Sequence, residues 1–91
     1  MKRVKVKIYG RVQGVFFRAN TKRLADELSV KGYVTNLADG TVEAVFEGDD
    51  LAVDKIVGWC HKGPPAARVE KVDVENEDYK GEFKDFTIKF L

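Results

Sequence analysis

Val4, Val6 and Ile8 alternate with Lys5, Lys7 and Tyr9, and further along Phe17, Thr21, Leu24, Ala25 and Leu28 recur at every third or fourth position. The first spacing fits a strand buried on one face, the second a helix with one apolar stripe. A chain that switches between these periods is committed to a layered fold in which helices cover a sheet.

The remaining segments follow the same rules. Helix 1 covers residues 17 to 30, with Gly32 where a helix would stop. The segment "YVTNLADGTVEAVFEG" reads as strands 2 and 3, antiparallel neighbours around Asp39-Gly40, a dipeptide suited to a tight hairpin because both residues can take positive φ. Asp49 and Asp50 can cap a second helix with the inner stripe Val53, Ile56, Val57 and Cys60, which "KGPP" ends. Val69, Val72 and Val74 mark a fourth strand. Their parity changes after Val69, which predicts a bulge near Glu70 and Lys71. "NEDYKGE" is a polar connection, and Phe86, Ile88 and Phe90 alternate in a last strand. The expected architecture is an α+β, ferredoxin-like βαββαβ sandwich, with an antiparallel sheet and both helices on one face. At 91 residues, one domain spanning 1–91 is expected, without internal repeat or interdomain linker.

The N-terminal "MKRVKVKIYG" lacks the apolar run of a secretory signal, and no stretch of about 20 apolar residues could span a bilayer. A soluble, cytoplasmic protein is expected. Cys60 has no second cysteine to pair with, and with His61 alone it cannot complete a four-ligand zinc site. Carboxylates are the ligands left for any metal.

The formal net charge of +1 conceals an asymmetry: eight of the sixteen basic residues precede Asp26, and all fifteen acidic residues lie from Asp26 onward. Either this is a solvated basic strand face, or it concentrates anions near the N-terminal segment.

The stretch "YGRVQGVFFRAN", residues 9 to 20, interrupts both periodicities. If helix 1 starts near Phe16 or Phe17, the backbone N–H groups of Gln13, Gly14, Val15, Phe16 and Phe17 lie at its N-terminus, where about four donors lack intrahelical partners. Gly10 and Gly14 can let these amides turn inward as a cradle for a phosphate-sized anion, so phosphate or sulfate is an expected occupant. The stretch matches neither the GxxxxGK[ST] nor the GxGxxG nucleotide fingerprint. Arg18, in the first turn, opposes the helix dipole unless an anion is nearby, and its planar fork suits phosphoryl oxygens; the other reading is an exposed arginine turned away. Strand 2 is expected to start at the far edge of the sheet and run back toward this loop, bringing Asn36 on the face of Val34 beside the start of helix 1. Asn36 could there hold a water, or it could be a hairpin-end asparagine bonded to its own backbone.

"GRVQGVFFR" at 10–18 and "GYVTNLADGTVEAVFEG" at 32–48 together resemble the acylphosphatases, and the similarity runs from strand 1 to the last strand. The resemblance implies a ferredoxin-like sandwich, usually monomeric, that hydrolyses carboxyl-phosphate mixed anhydrides such as acetyl phosphate without metal or cofactor. It implies that Arg18 binds the phosphoryl group with the loop amides and that Asn36 orients the attacking water. The water's proton would pass to the substrate's own phosphate. A carboxylate leaving group needs no general acid, so the scarcity of histidine is no objection, and phosphoryl transfer rests mainly on positioning and electrostatics.

Four further residues read as structural: His61 complements the end of helix 2, Cys60 packs in the core, and Trp59 and Tyr33 are packing or rim residues, Tyr33 with the option of bordering a substrate. Neither a nucleic-acid partner nor a membrane is expected. An RNA-recognition domain of this topology would carry the K/R-G-F/Y-G/A-F-V-x-F/Y pattern on strand 3, which reads "TVEAVFEG" instead. The remaining rival is a non-catalytic, anion-binding regulatory domain of the same fold. The sequence displays no dedicated pocket for the acyl part of a substrate.

Overall fold

Strand β1 (Lys2–Arg11) turns Val4, Val6 and Ile8 into the core, each no more than 2% exposed, as its alternation requires. The computed structural model describes residues 1–90. After β1 come α1 (Phe17–Glu27), β2 (Lys31–Asn36), β3 (Val42–Gly48), α2 (Asp50–Cys60), β4 (Arg68–Glu77) and β5 (Phe86–Lys89), in a sheet ordered β4-β1-β3-β2-β5. Helix α1 packs on β2 and β5, and α2 on β1 and β3. Between helices and sheet lies one apolar core that includes Phe17, Val34, Ala44, Phe46, Val53, Ile56 and Phe86.

The βαββαβ order is as expected, and the expected bulge is present. Tyr9 pairs with Lys71 and Gly10 with Val69, which leaves Glu70 as the extra residue. Gly10 is required there, because a Cβ would come within 2.2 Å of the Arg68 carbonyl oxygen.

Three local expectations need correction. Helix α1 ends at Glu27 rather than near residue 30, and its stop signal is Ser29, not Gly32. Ser29 takes φ 57, its N–H donates to Asp26 O (3.3 Å), and the Val30 N–H donates to Ala25 O (2.8 Å), a Schellman closure. Gly32 lies within β2, where a Cβ would sit 1.8 Å from the Val45 carbonyl oxygen. The hairpin is wider than a tight two-residue turn: only Gly40 has positive φ, and Leu37 N–H donates to Thr41 O at 2.9 Å. Asp39 closes it through its side chain, accepting from the Thr41 N–H at 3.0 Å.

The sheet is mixed rather than wholly antiparallel, and β2 is not its edge. β5 takes the edge, parallel to β2, with Gly32 opposite Phe86 and Thr35 opposite Lys89. The route of the chain explains this direction. β4 ends at Glu77 beside Arg3, and residues 78–85 then cross the open face of the sheet to Asp85, whose carbonyl accepts from the Gly32 N–H at 3.0 Å. The last strand thus begins at the end of the sheet where β2 begins. Glu47, only 2% exposed, holds the crossing by accepting from the amides of Lys80 (2.9 Å), Gly81 (3.1 Å) and Glu82 (3.2 Å). Arg3 joins Glu47, Glu77 and Glu82 and stacks on Phe83 at 5.3 Å.

Candidate active site

Val12 and Val15 are buried, and these two anchors fix the ends of a loop whose backbone is otherwise unlike helix or strand. Gly14 (φ 74) and Phe16 (φ 65) adopt left-handed conformations on either side of Val15, an alternation that turns successive N–H groups toward one side. Phe16 is the N-cap of α1 and offers no side-chain cap, and the first turn contains no acidic residue. Among the described residues, the amides of Gln13, Gly14, Val15, Phe16 and Phe17 find no hydrogen-bond acceptor. Five donors at a helix N-terminus are thus left available to an anion. The Gln13 side chain ties this loop to the β2–β3 hairpin, donating to Leu37 O (2.8 Å) and Thr41 O (2.9 Å).

The loop forms one wall of a cleft of about 290 Å³ that is also lined by Arg18, Asn36, Ile88 and Phe90. Arg18 and Asn36, eighteen positions apart, therefore share one depression with the cradle. The Arg18 guanidinium lies over the Phe90 ring at 5.1 Å, and among the described residues it has no carboxylate partner. Asn36, at the end of β2 opposite Val42, has a buried Oδ1 without a hydrogen-bond partner. Among the described residues the Asn36 side chain makes no hydrogen bond to its own backbone, and the turn is closed by Asp39 and Gln13 instead. Buried polar atoms are nearly always paired, so the orphaned oxygen marks a place for a donor.

The acylphosphatase family description matches residues 4–88. The chain belongs to the acylphosphatase family. An acylphosphatase from Rubrobacter xylanophilus is 57% identical over 88 residues, which cover 97% of this chain and 80% of that protein. Among solved structures, acylphosphatase from Bacillus subtilis has a TM-score of 0.93 at 31% identity, over 98% of this chain and 99% of that one. Acylphosphatase from Coxiella burnetii has a TM-score of 0.91 at 35% identity, over 97% and 92%.

Within this chain most of the early positive charge is paired. Lys2 meets Asp54, Arg3 meets Glu47, Glu77 and Glu82, Lys5 meets Glu43, Lys7 meets Asp39 and Lys22 meets Asp26. Of the eight early cations, Arg11, Arg18 and Arg23 have no carboxylate partner among the described residues. Arg11 ends β1 and Arg18 opens α1, so the uncompensated positive charge flanks the cradle.

Sequence reasoning missed four lining residues, Val12, Ala19, Ile88 and Phe90. Ile88 and Phe90 alternate in the expected last strand, but β5 ends at Lys89 and Phe90, 79% exposed, lies beyond it against Arg18. Their period of two was visible, but the parallel placement of β5 that carries them to the cleft was not. The residues read as structural are placed as such. Cys60 is fully buried and burial pushes its thiol up to about 12, which leaves it a core group. Exposed His61 caps α2, its Nδ1 3.1 Å from Val57 O, and Trp59 packs on Phe17 at 5.2 Å. Tyr33 faces away from the cleft, donating to Glu43 at 3.0 Å beneath Lys89. Burial first, then the Glu43 carboxylate, raises its phenol to about 12. Among the described residues no three of His, Cys, Asp and Glu converge on a metal-sized site, and no helix is long and apolar enough to cross a membrane.

Proposed function

We propose that this chain hydrolyses acyl phosphates to a carboxylate and inorganic phosphate, with the amides of residues 13–17 and Arg18 binding the phosphoryl group and Asn36 orienting the attacking water. Membership of the acylphosphatase family supports the reaction class. The observation that carries the residue roles is the convergence on one cleft of the cradle loop, Arg18 and Asn36. The amides and the guanidinium would meet the negative charge on the phosphoryl oxygens where it is held in the transition state. The Asn36 carboxamide would hydrogen-bond the water and so aim a lone pair at phosphorus. Among the described residues no carboxylate lines the cleft, which avoids repulsion of the dianion and leaves the substrate's phosphate to receive the water's proton. The departing carboxylate is stable near neutral pH without protonation. We read residues 1–91 as one domain that works as a monomer in the cytoplasm, without metal or cofactor.

The test is hydrolysis of benzoyl phosphate in the presence of EDTA by wild type, Arg18→Ala and Asn36→Ala, with folding checked by circular dichroism. Each variant should lower kcat by about 10² or more, the scale of a lost transition-state donor. A folded wild type without turnover would instead favour an anion-binding regulatory domain.

A further inference from the structure

We propose that Phe16 and Phe90 form the walls of an acyl subsite, so that this chain prefers acyl phosphates with an aromatic or bulky apolar acyl group over acetyl-sized ones. The inference rests on the phosphoryl site proposed above and assigns the other half of the substrate.

Phe16 has φ 65 and ψ 26 and is 78% exposed. A left-handed backbone is disfavoured for a bulky aromatic, and glycine would supply the same cradle conformation with less strain. The exposed ring adds nothing to the core either. Neither backbone nor packing therefore explains a phenylalanine at this position. Strained residues held in this way cluster where ligands are clamped.

Phe90 is likewise exposed, at 79%, and it lines the same cleft. Single exposed apolar side chains are ordinary, but here two exposed rings border one cleft beside the cradle loop. Val12 and Ile88 add to its apolar lining, while Gly14, Arg18 and Asn36 form the polar part. An acyl carbon is joined to phosphorus through a single oxygen, so a phosphoryl group in the cradle carries its acyl group into this apolar part. Aromatic faces favour offset or edge contact with a flat acyl ring. Such contact is present in substrate and transition state alike, so it acts mainly on KM.

The experiment compares kcat and KM for benzoyl phosphate and acetyl phosphate in wild type, Phe16→Gly, Phe90→Ala and Phe90→Tyr. The readout is the benzoyl-to-acetyl ratio of kcat/KM, which normalises each variant to its own acetyl phosphate turnover. We expect a wild-type ratio of about 10 or more, falling about 3- to 10-fold in Phe16→Gly and Phe90→Ala through a higher KM for benzoyl phosphate, and restored in Phe90→Tyr. Ratios unchanged in both truncations, with both substrates still hydrolysed, overturn the subsite and leave acyl phosphate hydrolysis standing. If the wild type hydrolyses neither substrate, the catalytic reading fails. Calorimetric titration with benzoylphosphonate and acetylphosphonate then decides the subsite. Tighter benzoylphosphonate binding that is lost in Phe16→Gly upholds it, and equal affinities overturn it.

Discussion

The Gln13 carboxamide donates to the Leu37 carbonyl oxygen at 2.8 Å, fastening the cradle loop to the hairpin that begins directly after Asn36. A second bond to Thr41 O at 2.9 Å uses the other amide hydrogen. One side chain thus ties the loop of unpaired amides to the hairpin that follows Asn36. Gln13→Ala should destabilise the protein by about 1–2 kcal/mol, the usual contribution of two such bonds whose acceptors keep other partners. It should also lower kcat about tenfold, because catalysis is sensitive to small misplacements. Urea unfolding and steady-state kinetics on benzoyl phosphate check both, and an unchanged kcat would mean that the hairpin is held by other contacts.

Arg18 separates charge from geometry. Arg18→Lys keeps a cation in the cleft but loses the bidentate fork and the flat stacking on Phe90, 5.1 Å away. We expect kcat/KM to fall about 10- to 100-fold, equivalent to losing a hydrogen bond to a charged group of about 1.5–3 kcal/mol. Turnover equal to wild type would show that a point charge suffices.

Glu47 gives the acid limb of stability. Burial, the largest single influence, pushes its carboxyl up, but the amides of Lys80 and Gly81 and the Arg3 guanidinium outweigh burial and hold it below its ordinary 4.5. A depressed carboxylate contributes stability that is fully present above its unfolded value and is lost as pH falls through the folded value. Asp39 acts in the same sense at lower pH, held at about 2 by the Thr41 hydroxyl and amide and by Lys7. Stability should therefore be flat above about pH 5 and fall from about pH 4.5 downward. Glu47→Gln should cost about 2 kcal/mol at neutral pH, because an NH₂ group then faces buried donors, and its acid limb should be shallower. Chemical unfolding from pH 3 to 7 tests this, and parallel pH profiles would remove Glu47 from the account.

Ser29 holds φ 57 at the end of α1, and it is exposed. Glycine there avoids a left-handed penalty of about 1–2 kcal/mol, offset in part by its larger unfolded-state entropy of about 0.5–1 kcal/mol. Ser29→Gly should raise Tm by about 2–6 °C for a domain of this size. Calorimetry would detect it, and a lowered Tm would place a stabilising role in the serine side chain.

Much was legible in local sequence because its cause is local. Alternation in β1, the stripe of α2 and the parity change around Glu70 each report a periodicity that the backbone imposes, and each matches the structure. The cradle was legible for the same reason: glycine placement and the start of a helix determine where amides are left unpaired. Arg18 and Asn36 were nominated by position, and the fold brings both to one cleft. What the sequence by itself determined is therefore the set of elements, their buried faces and the loop of unpaired amides at the start of α1. What only the tertiary structure decided lies in contacts between distant segments. Glu47 grips a backbone 33 to 35 residues away, and that grip routes the chain so that β5 lies parallel to β2. That route carries Phe90 beneath Arg18, and carboxylates from other elements meet Lys2, Lys5 and Lys7 while, among the described residues, Arg11 and Arg18 have none. Periodicity fixes which face of an element is buried, but the neighbour that buries it, and the ion that meets a given charge, depend on packing that no single window of sequence contains.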